Sequence, residues 1–429
     1  MRMDQLAEKG NFCLKNEIIN HDITKWVFSS FTSILGSVMD QKQVLSPVSM
    51  RDDETTPRAS QRLVSQLGIF DRLLTPTILV CMVIGVVLGN YVPEVRNAFD
   101  TVRFHNVSFP IALGLLVMMY PTLTKVQYET LPSLFTSRTT YTHILISLAL
   151  NWFLGPFLML GVAWATLPDL PTYRTGVILV GLARCIAMVM IWNGLAKGHQ
   201  EYCAILVVFN SVLQVVLYSP LAVLFVNIFG GVEDRIKVEY GNVAISVLIY
   251  LGIPLVAGVV TRYAVWFLFS KKFLDTKFLP IFSPLALIGL LYTIIVMFAY
   301  QGKNIVHNLG PVFRVFVPMI LYFAVMWTSA FILMYRLHLR EIKRGTDSEN
   351  FRFKYDMAVV QAFTAGSNNF ELAIAVAIAV YGVESDQALA ATIGPLLEVP
   401  VLLLLTWVAL WARGRFFEGN HAISRQSTS

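Results

Sequence analysis

The 429 residues are 56% hydrophobic and 14% charged, with a mean hydropathy of +0.62. Soluble domains average roughly 45–50% apolar and about 25% charged, so one buried core cannot absorb this excess and the chain needs an apolar solvent as well, a bilayer. The net charge of +6 does not indicate nucleic-acid binding, because the basic residues are scattered between apolar runs instead of gathered in a patch.

Residues 1–72 stand apart, with nine Lys/Arg and nine Asp/Glu. Residues 46–62 are rich in Ser, Thr, Asp and Pro and read as a disordered cytoplasmic extension. Residues 18–38 have the pattern of a short amphipathic surface helix. Residues 1–20 lack the apolar core of a cleavable signal peptide. Cys13, Cys81, Cys185 and Cys203 form no CxxC pair and no metal-finger spacing, so neither a disulfide framework nor a metal site is expected.

From residue 73 onward apolar runs follow one another near 73–92, 108–124, 139–166, 175–196, 203–229, 243–261, 279–300, 312–335, 356–381 and 388–411. Each is long enough, or nearly so, for the ~20 residues a spanning helix needs. An all-α integral membrane protein of ten transmembrane helices is therefore predicted. With both termini in the cytoplasm, and only the three Lys/Arg nearest the first span counted from residues 1–72, the inside segments hold 19 Lys/Arg and the outside loops 7, the asymmetry that sets orientation. Ten spans divide into repeats 73–232 and 243–412, followed by a cytoplasmic tail, 413–429. An odd number of spans per half makes the halves inverted if they are related, and spans four and nine, at matching places, both carry small and polar interruptions.

Three charged residues lie deep in the predicted spans: Arg184, Glu371 and Glu398. A charge at mid-bilayer costs roughly 2.5–3.5 kcal/mol on insertion scales and tends to face a bundle interior or a water-filled cavity. In Gly181-Leu-Ala-Arg184-Cys185-Ile-Ala-Met188, helical spacing puts Cys185, Met188 and Trp192 on one face with Arg184 beside it. A cation beside a thiol favours the thiolate, a soft ligand; equally, Cys185 fits as a small core residue. In Phe363-Thr-Ala-Gly366-Ser-Asn368-Asn369-Phe370-Glu371, the polar run predicts unwound backbone at a cavity. In Gly394-Pro395-Leu-Leu-Glu398-Val-Pro400, a carboxyl sits between helix breakers; proton exchange there and a structural ion pair with Arg184 are equally consistent with the sequence. Asn151 and Asn210 are single amides in spans three and five.

These motifs resemble the arsenite efflux permeases of the Acr type, within the bile acid/arsenite/riboflavin transporter superfamily. The similarity covers residues 73–415, and Met118-Met-Tyr-Pro121, Asn151-Trp152 with Gly155-Pro-Phe157, and Tyr173-Arg-Thr-Gly176 extend it. It implies two inverted five-helix repeats with broken helices four and nine crossing near mid-membrane, and exchange of arsenite for protons, with antimonite as a second substrate candidate. It places the family's span-four cysteine and neighbouring arginine on Cys185 and Arg184. The span-nine and span-ten glutamates fall on Glu371 and Glu398, and the polar positions of spans three and five on Asn151 and Asn210. On this reading Cys185 contacts arsenic, Trp192, Asn368 and Asn369 line the pocket, and Glu371 and Glu398 carry the proton; no cofactor is implied. The chain departs from the family at Gly194, at Gly366 and in its long N-terminal extension. A plasma-membrane location is expected, with the vacuolar membrane as the alternative. Sodium-coupled symport of a bile-acid-type organic anion is the competing carrier function. A membrane-embedded enzyme or receptor is disfavoured by the lack of HExxH or GxSxG and by short outside loops.

Overall fold

The computed structural model describes residues 69–91, 103–104, 107–129, 138–186, 188–230, 238–307, 309–345 and 351–418. The expected surface helix and disordered extension lie outside the described residues. In chain order the helices are α1 (Ile69–Tyr91), α2 (Phe109–Thr124), α3 (Thr139–Thr166), α4 (Pro171–Leu182), α5 (Met188–Leu195) and α6 (Gln200–Ile228). They continue with α7 (Tyr240–Leu268), α8 (Lys271–Tyr300), α9 (Leu309–Lys343), α10 (Tyr355–Gly366), α11 (Phe370–Tyr381) and α12 (Asp386–Phe417). Among the described residues the only strands are the two-residue pair β1 (Arg103–Phe104) and β2 (Val107–Ser108).

Six of these helices, α3, α6, α7, α8, α9 and α12, are long and apolar enough to cross a membrane. Their outward faces carry large apolar side chains such as Val216, Val256 and Leu404, while Asn151, Arg184, Asn210, Gln214 and Gln361 are turned inward and buried. Apolar residues outside and polar residues inside is the arrangement a hydrocarbon solvent selects, since only protein can satisfy those polar groups there. This is the architecture of a multi-pass membrane protein.

Two sets of helices pack most closely among themselves: α1, α2, α7 and α8 in one, and α3, α4, α6, α9, α10 and α12 in the other. In the first set the contact is backbone to backbone. Gly85 and Gly89 lie one turn apart on α1 against α8, where a Cβ on Gly85 would come within 2.6 Å of the Ile295 carbonyl oxygen. Close approach through small residues is how helices associate when apolar burial drives nothing.

The runs predicted as spans four and nine are each two helices. The first breaks after Leu182 and resumes at Met188; the second breaks after Gly366 and resumes at Phe370. This corrects the face assigned to Cys185 from helical spacing: Cys185 lies in the break itself, outside either helix.

Candidate functional site

The two breaks lie against each other. Arg184 and Asn368 form an isolated antiparallel bridge. The Asn369 amide donates to the Ala183 carbonyl (3.2 Å), and Asn368 Nδ2 donates to the carbonyls of Val180 (2.9 Å) and Ala183 (3.0 Å). Carbonyls freed at the end of α4 are thus taken up by the opposite break, which answers the cost of unpaired backbone inside a membrane. Asn369 caps α11, its Oδ1 accepting from the Leu372 amide (3.0 Å), as expected of Asn at that position.

Arg184 is fully withdrawn from solvent. Its Nη1 donates to the Tyr322 hydroxyl (2.9 Å) and its Nη2 to the Gly181 carbonyl. Gln214 of α6 grips its backbone from both sides: the Arg184 amide donates to Gln214 Oε1 (2.9 Å), and Gln214 Nε2 donates to the Arg184 carbonyl (2.8 Å). The absent side chain of Gly155 makes room, since a Cβ there would meet Arg184 Nη1 at 2.9 Å. The structural ion pair between Arg184 and Glu398 does not form: among the described residues no salt bridge joins Arg184 to a carboxylate.

Glu371, on the first turn of α11, and Glu398, within α12, both face a cavity of about 430 Å3, within the size range of small-ligand sites. Its wall continues through Phe370, Ile186 and Met188 to Met118, Lys125 and Gln127 of α2 and the turn beyond it, and to Ser283 and Leu287 of α8. Glu398 is 4% exposed, and its Oε1 has no hydrogen-bond partner among the described residues. Gly394 brings α12 against the Phe370 ring, where a Cβ would collide.

The other expected residues stand behind this wall. Cys185 is buried beside Ser367, and Asn368, Asn369 and Trp192 are buried without lining the cavity. The Trp192 indole N–H, Asn368 Oδ1 and Asn369 Nδ2 lack partners among the described residues. Asn151, within a π-helical stretch of α3, donates to the Ser147 carbonyl (2.9 Å) and hydroxyl (3.0 Å). Asn210 accepts from the Trp152 indole (3.0 Å), tying α6 to α3. The sequence reading missed Gln214 and Tyr322. Gln214 carried the same signal as Asn210, one turn earlier on α6: an amide in an apolar run.

The Sodium Bile acid symporter family matches residues 112–308. The chain is 39% identical over 372 residues to the arsenical-resistance protein Acr3 of Corynebacterium glutamicum, spanning 85% of this chain and 96% of that protein. It is 32% identical over 360 residues to an uncharacterized transporter of Synechocystis, spanning 79% and 88% of the two chains. Against the arsenical-resistance protein Acr3 of Alkaliphilus metalliredigens the identity is 29% over 362 residues, spanning 82% and 95%. These relatives are named for transport or resistance, none for an enzymatic activity. With near-complete coverage at such identity, the chain belongs to the Acr-type arsenite permeases of the bile acid/arsenite/riboflavin transporter superfamily.

Proposed function

We propose that the protein exports arsenite from the cytosol across the plasma membrane in exchange for protons, with antimonite as a second substrate. The observation that carries this is the meeting of two broken helices beside a cavity that ends on two carboxyls, in a chain of this family. Broken helices of matching place in two halves are the usual site of a secondary carrier. Counted with α4/α5 and α10/α11 as single interrupted spans, the helices make ten crossings, arranged as two inverted repeats over residues 73–232 and 243–412 with both termini cytoplasmic. On that orientation Lys125, Gln127 and Ser283 line the cavity's cytosolic end, so the carboxyls are reached from the side on which arsenite accumulates.

Arsenous acid is neutral at physiological pH and needs a soft ligand with hydrogen-bonding groups, not a fixed countercharge. Cys185 supplies one sulfur; three would hold arsenic too firmly for turnover. The unpartnered polar atoms of Trp192, Asn368 and Asn369 become its hydrogen-bonding shell when the breaks shift, and Asn151 and Asn210 hold α3 and α6 around it. Arg184 braces the break. Glu371 and Glu398 take up the proton whose inward movement drives export.

Everted vesicles carrying Cys185→Ser are expected to lose arsenite uptake. Those carrying Glu398→Gln should lose the proton movement that accompanies it. Full arsenite-driven proton exchange in either variant rejects these roles. The family match over 112–308 favours one rival, sodium-coupled symport of an organic anion, and removing sodium from the same assay decides it: proton exchange is expected to be indifferent.

A further inference from the structure

A second cavity, of about 620 Å3, lies at the end of the bundle where residues 351–356 pass over the start of α6. It shares no lining residue with the cavity at Glu371 and Glu398. Its wall is polar: Thr139, His199, Tyr202, Arg352, Lys354 and Asp356. Three helices begin there. α3 opens at Thr139, α6 has His199 as its N-cap, and α10 has Lys354 as its N-cap. The positive ends of three macrodipoles therefore converge on the space already flanked by Arg352 and Lys354.

Among the described residues, the cationic head of Arg352 makes no hydrogen bond to the frame. Arg352 is anchored through its backbone: His143 Nε2 donates to its carbonyl (3.1 Å), and its amide donates to the Glu341 carboxylate (3.2 Å). His199 Nδ1 accepts from the Tyr202 amide (3.4 Å), which leaves Nε2–H as a donor. Asp356 is the one carboxylate in the lining, and its Oδ1 is occupied by the Met357 amide (2.9 Å). The Tyr202 hydroxyl is shared with Thr140 (3.1 Å); the Arg352 guanidinium, the positive charge of Lys354, an imidazole N–H and three helix starts suit an anion with several acceptor oxygens.

We propose that this cavity binds a phosphoryl anion, supplied either as free phosphate or as the headgroup of an anionic phospholipid. The ligand would tie together the segments that lead to both breaks. The His199 amide already donates to the Asp356 carbonyl (3.3 Å), and the Tyr355 hydroxyl to the Ala196 carbonyl (2.9 Å), so the end of α5 and the start of α10 meet at this place. Occupancy therefore sets how firmly the two broken helices are held at one end.

The test uses the full-length protein in neutral detergent, titrated with inorganic phosphate at constant ionic strength while thermal unfolding and binding of radiolabelled phosphate are followed. Saturable stabilisation is expected, with affinity about tenfold weaker in Lys354→Gln and weaker still in Arg352→Gln/Lys354→Gln, the loss of a charge-assisted bond. In phosphatidylglycerol nanodiscs, but not phosphatidylcholine ones, loss of the phosphate effect identifies a headgroup as the native occupant. Persistence of the effect in both identifies free phosphate. Stabilisation by chloride as strong as by phosphate, or unchanged phosphate binding in the folded double variant, overturns the proposal.

Discussion

Arg184 and Arg262 are both buried in an apolar bundle, and the protein deals with their charges in opposite ways. Arg262, near the end of α7, is neutralised by a carboxylate: its Nε and Nη2 donate to the two oxygens of Glu129 (3.0 and 2.6 Å), and Lys271 stands 3.4 Å from the same group. Arg184, at the break, meets only backbone carbonyl, phenol hydroxyl and an amide side chain that grips its main chain. At the bundle's end Glu129 keeps contact with water, so pairing two charges costs little desolvation. At the break a pairing carboxylate would have to be Glu371 or Glu398, and a carboxyl locked to a guanidinium stays ionised across the working pH range. Meeting Arg184 with dipoles leaves both glutamates out of an ion pair with it, as the proposed proton exchange requires.

The contrast can be broken by substitution. Arg262→Ala strands a mostly buried Glu129, and losing one partner of such a pair costs about 3 kcal/mol. Unfolding in detergent should show that loss, while transport per folded molecule stays unchanged. Gln214→Ala removes both bonds to the Arg184 main chain, worth about 2 kcal/mol together, and here transport should fall with stability because the break itself loosens. Tyr322→Phe keeps the ring against Phe323 and deletes one hydroxyl that links Arg184 to the Ala365 carbonyl (3.4 Å). About 1 kcal/mol is expected from that bond. Transport lost in folded Arg262→Ala, or kept in Gln214→Ala, would erase the distinction between an anchoring arginine and a site arginine.

Much of this was legible in the sequence, for reasons that differ by level. Apolar runs reveal their helices because hydrocarbon demands length and composition: the run at 139–166 is α3, whereas α7, α8 and α9 extend up to eight residues past the runs at 243–261, 279–300 and 312–335. The break in the run 356–381 was legible because Gly366, Ser367, Asn368 and Asn369 in succession cannot make good helix. A break in span four follows from its small and polar residues and from the family resemblance, but its place after Leu182 was not legible, since Ala183, Cys185 and Ile186 are individually compatible with helix. It exists because Asn368 and Gln214, 185 and 30 positions away from Ala183 and Arg184, supply the bonds the helix would have made. The same non-local pairing explains why Asn368 and Asn369, read as cavity lining, act as cap and brace in this arrangement.

The mildest test of how depth changes a charge pair lies at the other end of the bundle. Arg314 Nη1 and Nη2 donate to both oxygens of Asp169 (2.6 Å each), as short as the Arg262–Glu129 contact, but the two side chains are 42% and 59% exposed. The Arg314 hydrogen bonds hold the Asp169 carboxyl below its ordinary range. Because the folded value is depressed, the stabilisation is complete above the unfolded value, about 3.9, and disappears as the pH falls through the folded value. Exposure screens it, so Asp169→Asn should cost only about 0.2–1 kcal/mol at neutral pH. It should cost less still in high salt and nothing once the pH lies below both the folded and the unfolded values. Unfolding curves for the two proteins across that range should therefore converge on acidification. Curves that stay apart would mean that something other than the ion pair holds Asp169, and that geometry alone, with no help from burial, had been mistaken for strength.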